Sequence, residues 1–297
     1  MEISKLSRNS RAMKAMTGLS WEEFTDLIPA FEEAEREYRK NQPGRQRNPG
    51  GGRKGHLKTT ADKLFYILFY IKTYPTFDIM AFLFGKGRGR SCEAGHFYLK
   101  LLEKALGRKI VLPKRRIGSI EEFTRLFPEV KDVFPDGTER RIQRPQNIKR
   151  NRRHYSGKKK THTRKNIVIT NENKEILVVS PTKPGRRHDK RLTDRISFIE
   201  HIPKDVSIWA DSGFIGIQHC HPNSFVCKKG QKNRPLSKEE KQENKVISSL
   251  RVGVEHAIGG MKKFRVYSER LRNRIGIFDD RVAVVTAGLW NYHLQKR

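Results

Sequence analysis

The sequence predicts a mixed α/β protein, a small all-α N-terminal domain followed by a larger domain in which strands and helices alternate. Apolar residues recur at helical spacing early in the chain, as in Leu64, Ile67, Leu68 and Ile71. From about residue 129 the period changes. Short β-branched runs such as Ile167–Ile169 and Ile176–Val179 then alternate with helical patterns. The length of 297 residues suits one large or two smaller domains at about 150 residues each.

Each element has its own signal. Ser20-Trp-Glu-Glu23 is a capping box that opens a helix, and residues 22–37 carry seven acids and one base. Residues 41–58 hold seven Gly/Pro, five Lys/Arg and no acid, which reads as a flexible basic arm. Thr59 is the N-cap of a helix that Pro75 stops. A short helix from about Thr76 to Phe84 ends at Gly85. The basic turn Lys86-Gly-Arg88-Gly-Arg90 then leads to a helix capped by Ser91 and running to about Leu106. Helix, turn and helix with Gly and Arg in the turn resembles a DNA-binding helix-turn-helix, although three short helices also make an ordinary bundle. Residues 1–115 are thus the expected first domain. Ser119-Ile-Glu-Glu122 caps a connecting helix within 116–128 that stops at Pro128, and 129–297 form the second domain.

In that second domain Val130, Val133 and Phe134 read as a strand leading into Asp136. Pro135 cannot donate to a ladder, so the strand is expected to end or bulge there. Asn171–Lys174 is a turn between two strands, and Asp189–His201 a helix. Val206–Ala210 is a strand running straight into Asp211, and Ser224–Cys227 a shorter one. Ser237-Lys-Glu-Glu240 caps a long helix to about Phe264, and a last apolar helical segment covers Ile277–His293.

Composition excludes several classes. With 35% hydrophobic residues and 16 Phe, the chain is not wholly disordered. The longest apolar run, Leu64 to Ile71, has eight residues, and a membrane span needs about 20. Three Cys are not a disulfide framework. The first 20 residues hold no apolar signal core. A soluble, reduced, cytoplasmic protein is expected. The 63 Lys+Arg against 32 Asp+Glu give +31, a charge that demands an acidic partner. Nucleic acid is favoured, bound with strong salt dependence. A membrane surface is the weaker option, since no basic amphipathic helix stands out.

Three acids stand apart. Asp136 follows a strand-like run, Asp211 ends another, and Glu255 lies in the long helix. Such positions bring distant carboxylates together, and carboxylates suit hard divalent cations whose shell substrate phosphates complete. Two such ions, Mg²⁺ or Mn²⁺, serve phosphoryl transfer. The plain alternative makes Asp136 and Asp211 turn residues and Glu255 a surface acid paired to Arg251. Arg251, Glu255 and Lys262 fall within about 40° of one another on a continuous helix. His219-Cys220-His221 with Cys227 matches no usual zinc spacing. His154, Tyr155 and His162 sit in a stretch, 140–165, with twelve Lys/Arg and no acid. They are expected to contact backbone or a neighbouring strand.

Taken in order, five segments resemble bacterial insertion-sequence transposases of the DDE superfamily, of the family-five type. They are Asp136-Gly-Thr-Glu-Arg-Arg-Ile-Gln-Arg-Pro145, Tyr155-Ser-Gly-Lys-Lys-Lys-Thr-His162, Pro184-Gly-Arg-Arg-His-Asp189, Ala210-Asp-Ser-Gly-Phe-Ile-Gly216 and Arg251-x3-Glu255-x6-Lys262. The resemblance implies a ribonuclease-H-like catalytic domain with Asp136, Asp211 and Glu255 as catalytic, metal-binding residues. It implies that Arg251 and Lys262 contact DNA near the site. Arg88, Arg90, Lys158, Lys159 and Lys160 are the further expected DNA contacts. His188 and Asp189 either cap the following helix or stand just behind the site. Partners would be terminal inverted repeats, target DNA and further copies of the chain, in a bacterial nucleoid. The family's fuller signature has Tyr three residues before the Arg, where this chain has Ser248. The rival reading is a non-catalytic nucleic-acid binder, which explains the charge equally well and tolerates chelation.

Overall fold

The computed structural model describes residues 3–42 and 55–296. Residues 43–54 of the expected basic arm therefore lie outside the described residues. In chain order the helices are α1 (Ser10–Thr17), α2 (Trp21–Lys40), α3 (Thr60–Thr73), α4 (Phe77–Leu83), α5 (Arg88–Arg108) and α6 (Ile120–Leu126). There follow β1 (Asp132–Arg141), α7 (Ile148–His154), β2 (Tyr155–Ser156), β3 (Thr161–Asn171), β4 (Ile176–Val179) and β5 (Lys183–Pro184). The rest are α8 (Asp189–Arg195), β6 (Ser207–Ala210), β7 (Ser224–Val226), α9 (Lys238–Leu250), α10 (Val252–Lys262), α11 (Arg265–Ser268) and α12 (Phe278–Gln295).

The chain divides into two compact units. The first, Met1–Leu112 with Met261–Glu269 and Asn273–Arg297, is helical. The expected capping box of Ser20 with Glu23 starts α2, and the expected N-cap Thr59 starts α3, where Asp62 completes a capping box as well. The fifth helix starts earlier than expected, with Gly87 as N-cap. Arg88 and Arg90 therefore lie in its first turn, exposed, and Ser91 is buried, its carbonyl accepting from Tyr66 Oη at 2.7 Å. The core joins Phe24, Leu27 and Phe31 of α2 to Leu64, Leu68 and Ile71 of α3 and Leu99, Leu102 and Leu106 of α5.

The last helix also belongs here, although the sequence divides the chain at 129 and places it with the second domain. Val282, Ala283, Val285, Thr286 and Leu289 of α12 are all buried, too wide an apolar surface for a helix with one free face. Gly288 lets it approach closely, since a Cβ there would lie 2.7 Å from Leu112 Cδ2. Asn291 Nδ2 donates to the Val111 carbonyl at 3.0 Å, and Tyr292 Oη to the Glu23 carbonyl at 2.8 Å.

The second unit, Pro113–Gly260 with Arg270–Arg272, is built on a mixed sheet in the order β2-β3-β1-β6-β7, with β4 and β5 also pairing with β3. The β1–β3, β3–β4, β2–β3 and β3–β5 pairs are antiparallel, and β1–β6 and β6–β7 are parallel. One face of the sheet buries Val133, Ile167, Ile169, Ile208 and Ala210 against Leu192, Ile196, Phe198 and Phe123. The connecting helix starts at Ser119, whose Oγ accepts from the Glu122 N–H.

Three expectations are corrected. Pro135 neither ends nor bulges β1, which pairs with β3 without a register break from Val133 to Arg141. What stops is the other ladder. The Lys131 carbonyl accepts from the Ser207 N–H, so odd-numbered residues of β1 point their polar groups toward β6. That ladder ends at Val133, and the missing N–H of Pro135 falls just beyond it. Second, the long helix is broken at Arg251, the C-cap of α9, where Val254 N–H bonds back three residues to the Arg251 carbonyl. Third, the Asp189–His201 helix stops at Arg195, followed by Ser197 at φ 49° and a single 3₁₀ turn over Ile199–His201.

Candidate active site

Parallel pairing of β1 with β6 sets Val133 opposite Ile208. Three residues further along each strand stand Asp136 and Asp211. Alternation turns both away from the face that buries Val133 and Ile208. Asp136 shares its row with Val168 of β3 and Val179 of β4, both buried. Asp211 ends its strand as the N-cap of a short 3₁₀ turn, its Oδ1 accepting from Gly213 N–H at 2.8 Å. Asp136 Oδ1 accepts from Gly137 N–H at 2.8 Å, and the buried Arg251 reaches the same oxygen at 3.6 Å.

A third carboxylate joins from the opposite face of β1. Asp189, the first residue of α8, lies where a side chain at Gly137 would be. A Cβ on Gly137 would stand 2.6 Å from Asp189 Oδ1. A Cβ on Gly213 would stand 2.9 Å from Asp211 Oδ1 and 3.3 Å from Asp189 Oδ2. The two glycines thus leave a small cradle open among the carboxylates. Substituting Gly137→Ala is expected to push Asp189 aside at a cost of about 1–3 kcal/mol, read as a lower denaturation midpoint with an unchanged m-value.

Burial pushes the Asp136 carboxyl up, opposed by Arg251 and by the Gly137 N–H; the negative charges of Asp211 and Asp189 raise it further. A cation would relieve that repulsion. Among the described residues no three of His, Cys, Asp and Glu lie close enough to share one metal ion. The Asp136–Asp211 pair nevertheless fits Mg²⁺, which is commonly held by one or two carboxylates with substrate phosphates completing its shell.

Beneath Asp189 runs a buried charge network. Lys165 Nζ pairs with Asp189 Oδ1 at 2.9 Å and with Glu139 Oε1 at 3.2 Å, and donates to the Arg187 carbonyl at 3.0 Å. Glu139 and Lys165 face each other in the β1–β3 register. Thr163 Oγ1 also donates to Glu139 Oε2 at 2.7 Å. Burial alone would raise the Glu139 carboxyl, but bonds from Thr163 and Ser156 and the charge of Lys165 leave it lowered. Lys165 is raised, its two carboxylates outweighing burial. The sequence reading missed this network, because Lys165 was hidden in a basic run. The one signal present was Glu139, an acid directly followed by a stretch from Arg140 to Asn171 that holds no other acid.

Of the remaining expected residues, Glu255 is exposed on α10, one turn beyond Arg251. Arg251 pairs with Asp136 and is buried while Glu255 and Lys262 are exposed, so the three do not form one charged helix face. Lys158, Lys159 and Lys160 are exposed in the β2–β3 turn, Lys160 at φ 51°. Arg88 pairs with Asp78 at 3.2 Å on the surface of the first unit. His188 takes the N-cap position of α8 without a side-chain cap bond. The ring nitrogens of His221 face the Pro203 carbonyl at 3.0 Å and Ser224 Oγ at 3.3 Å. His154 and His162 contact the Arg150 carbonyl and Asn151 Oδ1, and Tyr155 stacks edge-on against His162 across β2–β3, as expected.

Residues 135–291 match the family described as DDE superfamily endonuclease. The chain is also 28% identical, over 99% of both chains, to a protein named probable transposase for insertion sequence element IS702, from Microchaete diplosiphon. No solved structure matches. The matched span covers more than half of the chain and contains Asp136, Asp211 and Glu255. The resemblance read from the five motifs therefore holds, and the chain belongs to the DDE superfamily endonuclease family.

Proposed function

We propose that the chain is an insertion-sequence transposase that cuts DNA at element ends and joins them to a target. The observation that carries this reading is the placement of Asp136 and Asp211 at one level, on one face, of two adjacent parallel strands, with Arg251 against Asp136. Asp136 and Asp211 are the proposed holders of Mg²⁺ or Mn²⁺, and Glu255, four residues beyond Arg251, would complete a second site. Such ions, when bound, supply activation of the attacking oxygen and charge stabilisation of the leaving one. Arg251 fixes the Asp136 carboxylate and stands ready to pair with a backbone phosphate beside it. Water first attacks a phosphodiester, breaking a P–O bond and freeing a 3′-OH. That 3′-OH then attacks the target strand, displacing an oxygen of equal kind, so no covalent enzyme intermediate forms.

The second unit would be the ribonuclease-H-like catalytic part. The first would read terminal inverted repeats through α4 and α5, with Arg88 and Arg90 on phosphates. Paired ends call for a multimer on DNA. No helix of the described residues is long and apolar enough to cross a membrane.

The test uses purified protein, labelled DNA carrying the gene's own flanks, and Mg²⁺ or EDTA. Metal-dependent cleavage at one flank position, abolished by Asp136→Ala, Asp211→Ala and Glu255→Ala, supports the whole assignment. Cleavage that survives Glu255→Ala but not Asp189→Asn would transfer the third role to Asp189. Salt-sensitive binding without cleavage in either metal would leave a non-catalytic binder.

A further inference from the structure

The second unit carries a dense group of cations that the proposed catalytic site does not use. Arg187 lies two residues before Asp189, Arg195 ends α8, and Arg153 lies in α7. Arg187 Nη1 is buried and has no hydrogen-bond partner. Among the described residues none of these three side chains makes an ion pair. The nearby acids are already taken: Asp194 by Lys190 at 2.9 Å, Asp189 by Lys165 at 2.9 Å, and Glu139 by Lys165 and Thr163. Burial lowers the Arg187 pKa, and the positive charges of Arg195 and Arg153 lower it further.

Crowded guanidinium groups are unfavourable unless an anion bridges them. Arg is suited to such bridging, because its planar fork meets phosphate oxygens two at a time. The surroundings extend the cationic surface. The seventh helix has no buried residue, leaving Arg150 and Arg152 exposed beside Arg153, with Lys158–Lys160 on the neighbouring turn. No acid occurs from Arg140 to Asn171.

We propose that Arg153, Arg187 and Arg195 form a binding site for a nucleic-acid backbone phosphate, and that α7 with the β2–β3 turn continues it as a ledge for neighbouring phosphates. The site would anchor the strand close to Asp189 and would not read base sequence. The proposal deepens the transposase reading, since it takes DNA as the substrate.

The experiment measures binding of full-length protein to two labelled duplexes, the gene's own flank and an unrelated sequence, in EDTA across a salt series. Arg187→Gln is expected to weaken both duplexes alike and to reduce the slope of log K against log salt by about 0.9, one phosphate's worth. Arg153→Gln and Arg195→Gln should each act in the same sense, and Arg187→Lys should recover part of the loss. Should Arg187→Gln fail to fold, the exposed Arg153 and Arg195 variants carry the test. Unchanged affinity and slope in folded variants overturn the proposal. So does a variant that loses thermal stabilisation by inorganic phosphate while binding both duplexes like wild type, which would assign the cluster to a free anion. Because the readout is binding in chelator, missing Mg²⁺-dependent cleavage would sink the transposase reading and leave this test untouched.

Discussion

Asp136→Asn is expected to abolish DNA cleavage while raising the melting temperature of the metal-free protein. The two effects share one cause. A partly buried carboxylate with Asp211 and Asp189 beside it is held in a charged state that the fold alone disfavours. The sign follows from linkage. A carboxyl whose pKa is higher in the folded state binds protons more tightly there, so stability falls as pH rises from the unfolded pKa through the folded one. Above that window the penalty is fully present. Asparagine removes the charge yet still accepts from Gly137 N–H and from Arg251. The expected result is a melting curve shifted upward by a few degrees at neutral pH in EDTA, with the advantage shrinking as the solution is acidified. Cleavage in Mg²⁺ should fall by about 10³-fold or more, roughly 4 kcal/mol or more of transition-state stabilisation. Wild type should gain stability on adding Mg²⁺ and the variant should not. Equal melting temperatures in EDTA at all pH values would show that Arg251 fully compensates the buried charge.

Lys165→Met should produce the largest loss of stability of any single substitution in the second unit. It leaves Glu139 and Asp189 facing each other without their shared cation, both largely buried. Breaking a buried pair by removing one partner costs about 3–5 kcal/mol. The denaturation midpoint should fall accordingly, and cleavage should fall with it because Asp189 loses its anchor. Adding Glu139→Gln and Asp189→Asn to Lys165→Met should return much of the stability, since the uncompensated charges are then gone. A Lys165→Met protein as stable as wild type would show that the network is solvated rather than buried.

Much of the fold could be read because local chemistry decides it. Ser20, Thr59, Ser119 and Ser237 each cap the helix expected of them, with the side-chain oxygen accepting an N–H three residues on. The Asn171–Lys174 turn sits between its two strands, with Lys174 at φ 65°. Asp136 and Asp211 stood out because each follows an apolar run, although β1 continues past Asp136 to Arg141. Glu255 stood out as an acid within an apolar helical stripe, and the fold leaves it exposed. What local pattern could not give was long-range pairing. Nothing near Lys165 announces that β3 will bury it opposite Glu139. The break at Arg251 was hidden because Ile247, Val254, Ala257 and Met261 keep helical spacing across it. Pro135 was read correctly as a missing donor, but a strand has two edges and only one of them needed that donor.

The placement of α12 has a consequence for how the molecule is made. The helix that completes the first unit is synthesised after the whole of the second. During translation α2, α3 and α5 are present early, with Leu106 and Leu112 lacking the surface that Gly288 lets approach and the Glu23 carbonyl lacking Tyr292. The second unit is continuous apart from three residues, so it can close first even though it is translated later. Order of folding would then run against order of synthesis. An N-terminal fragment cut at residue 115 would be an open shell, and the first unit isolated for study has to carry its last helix with it.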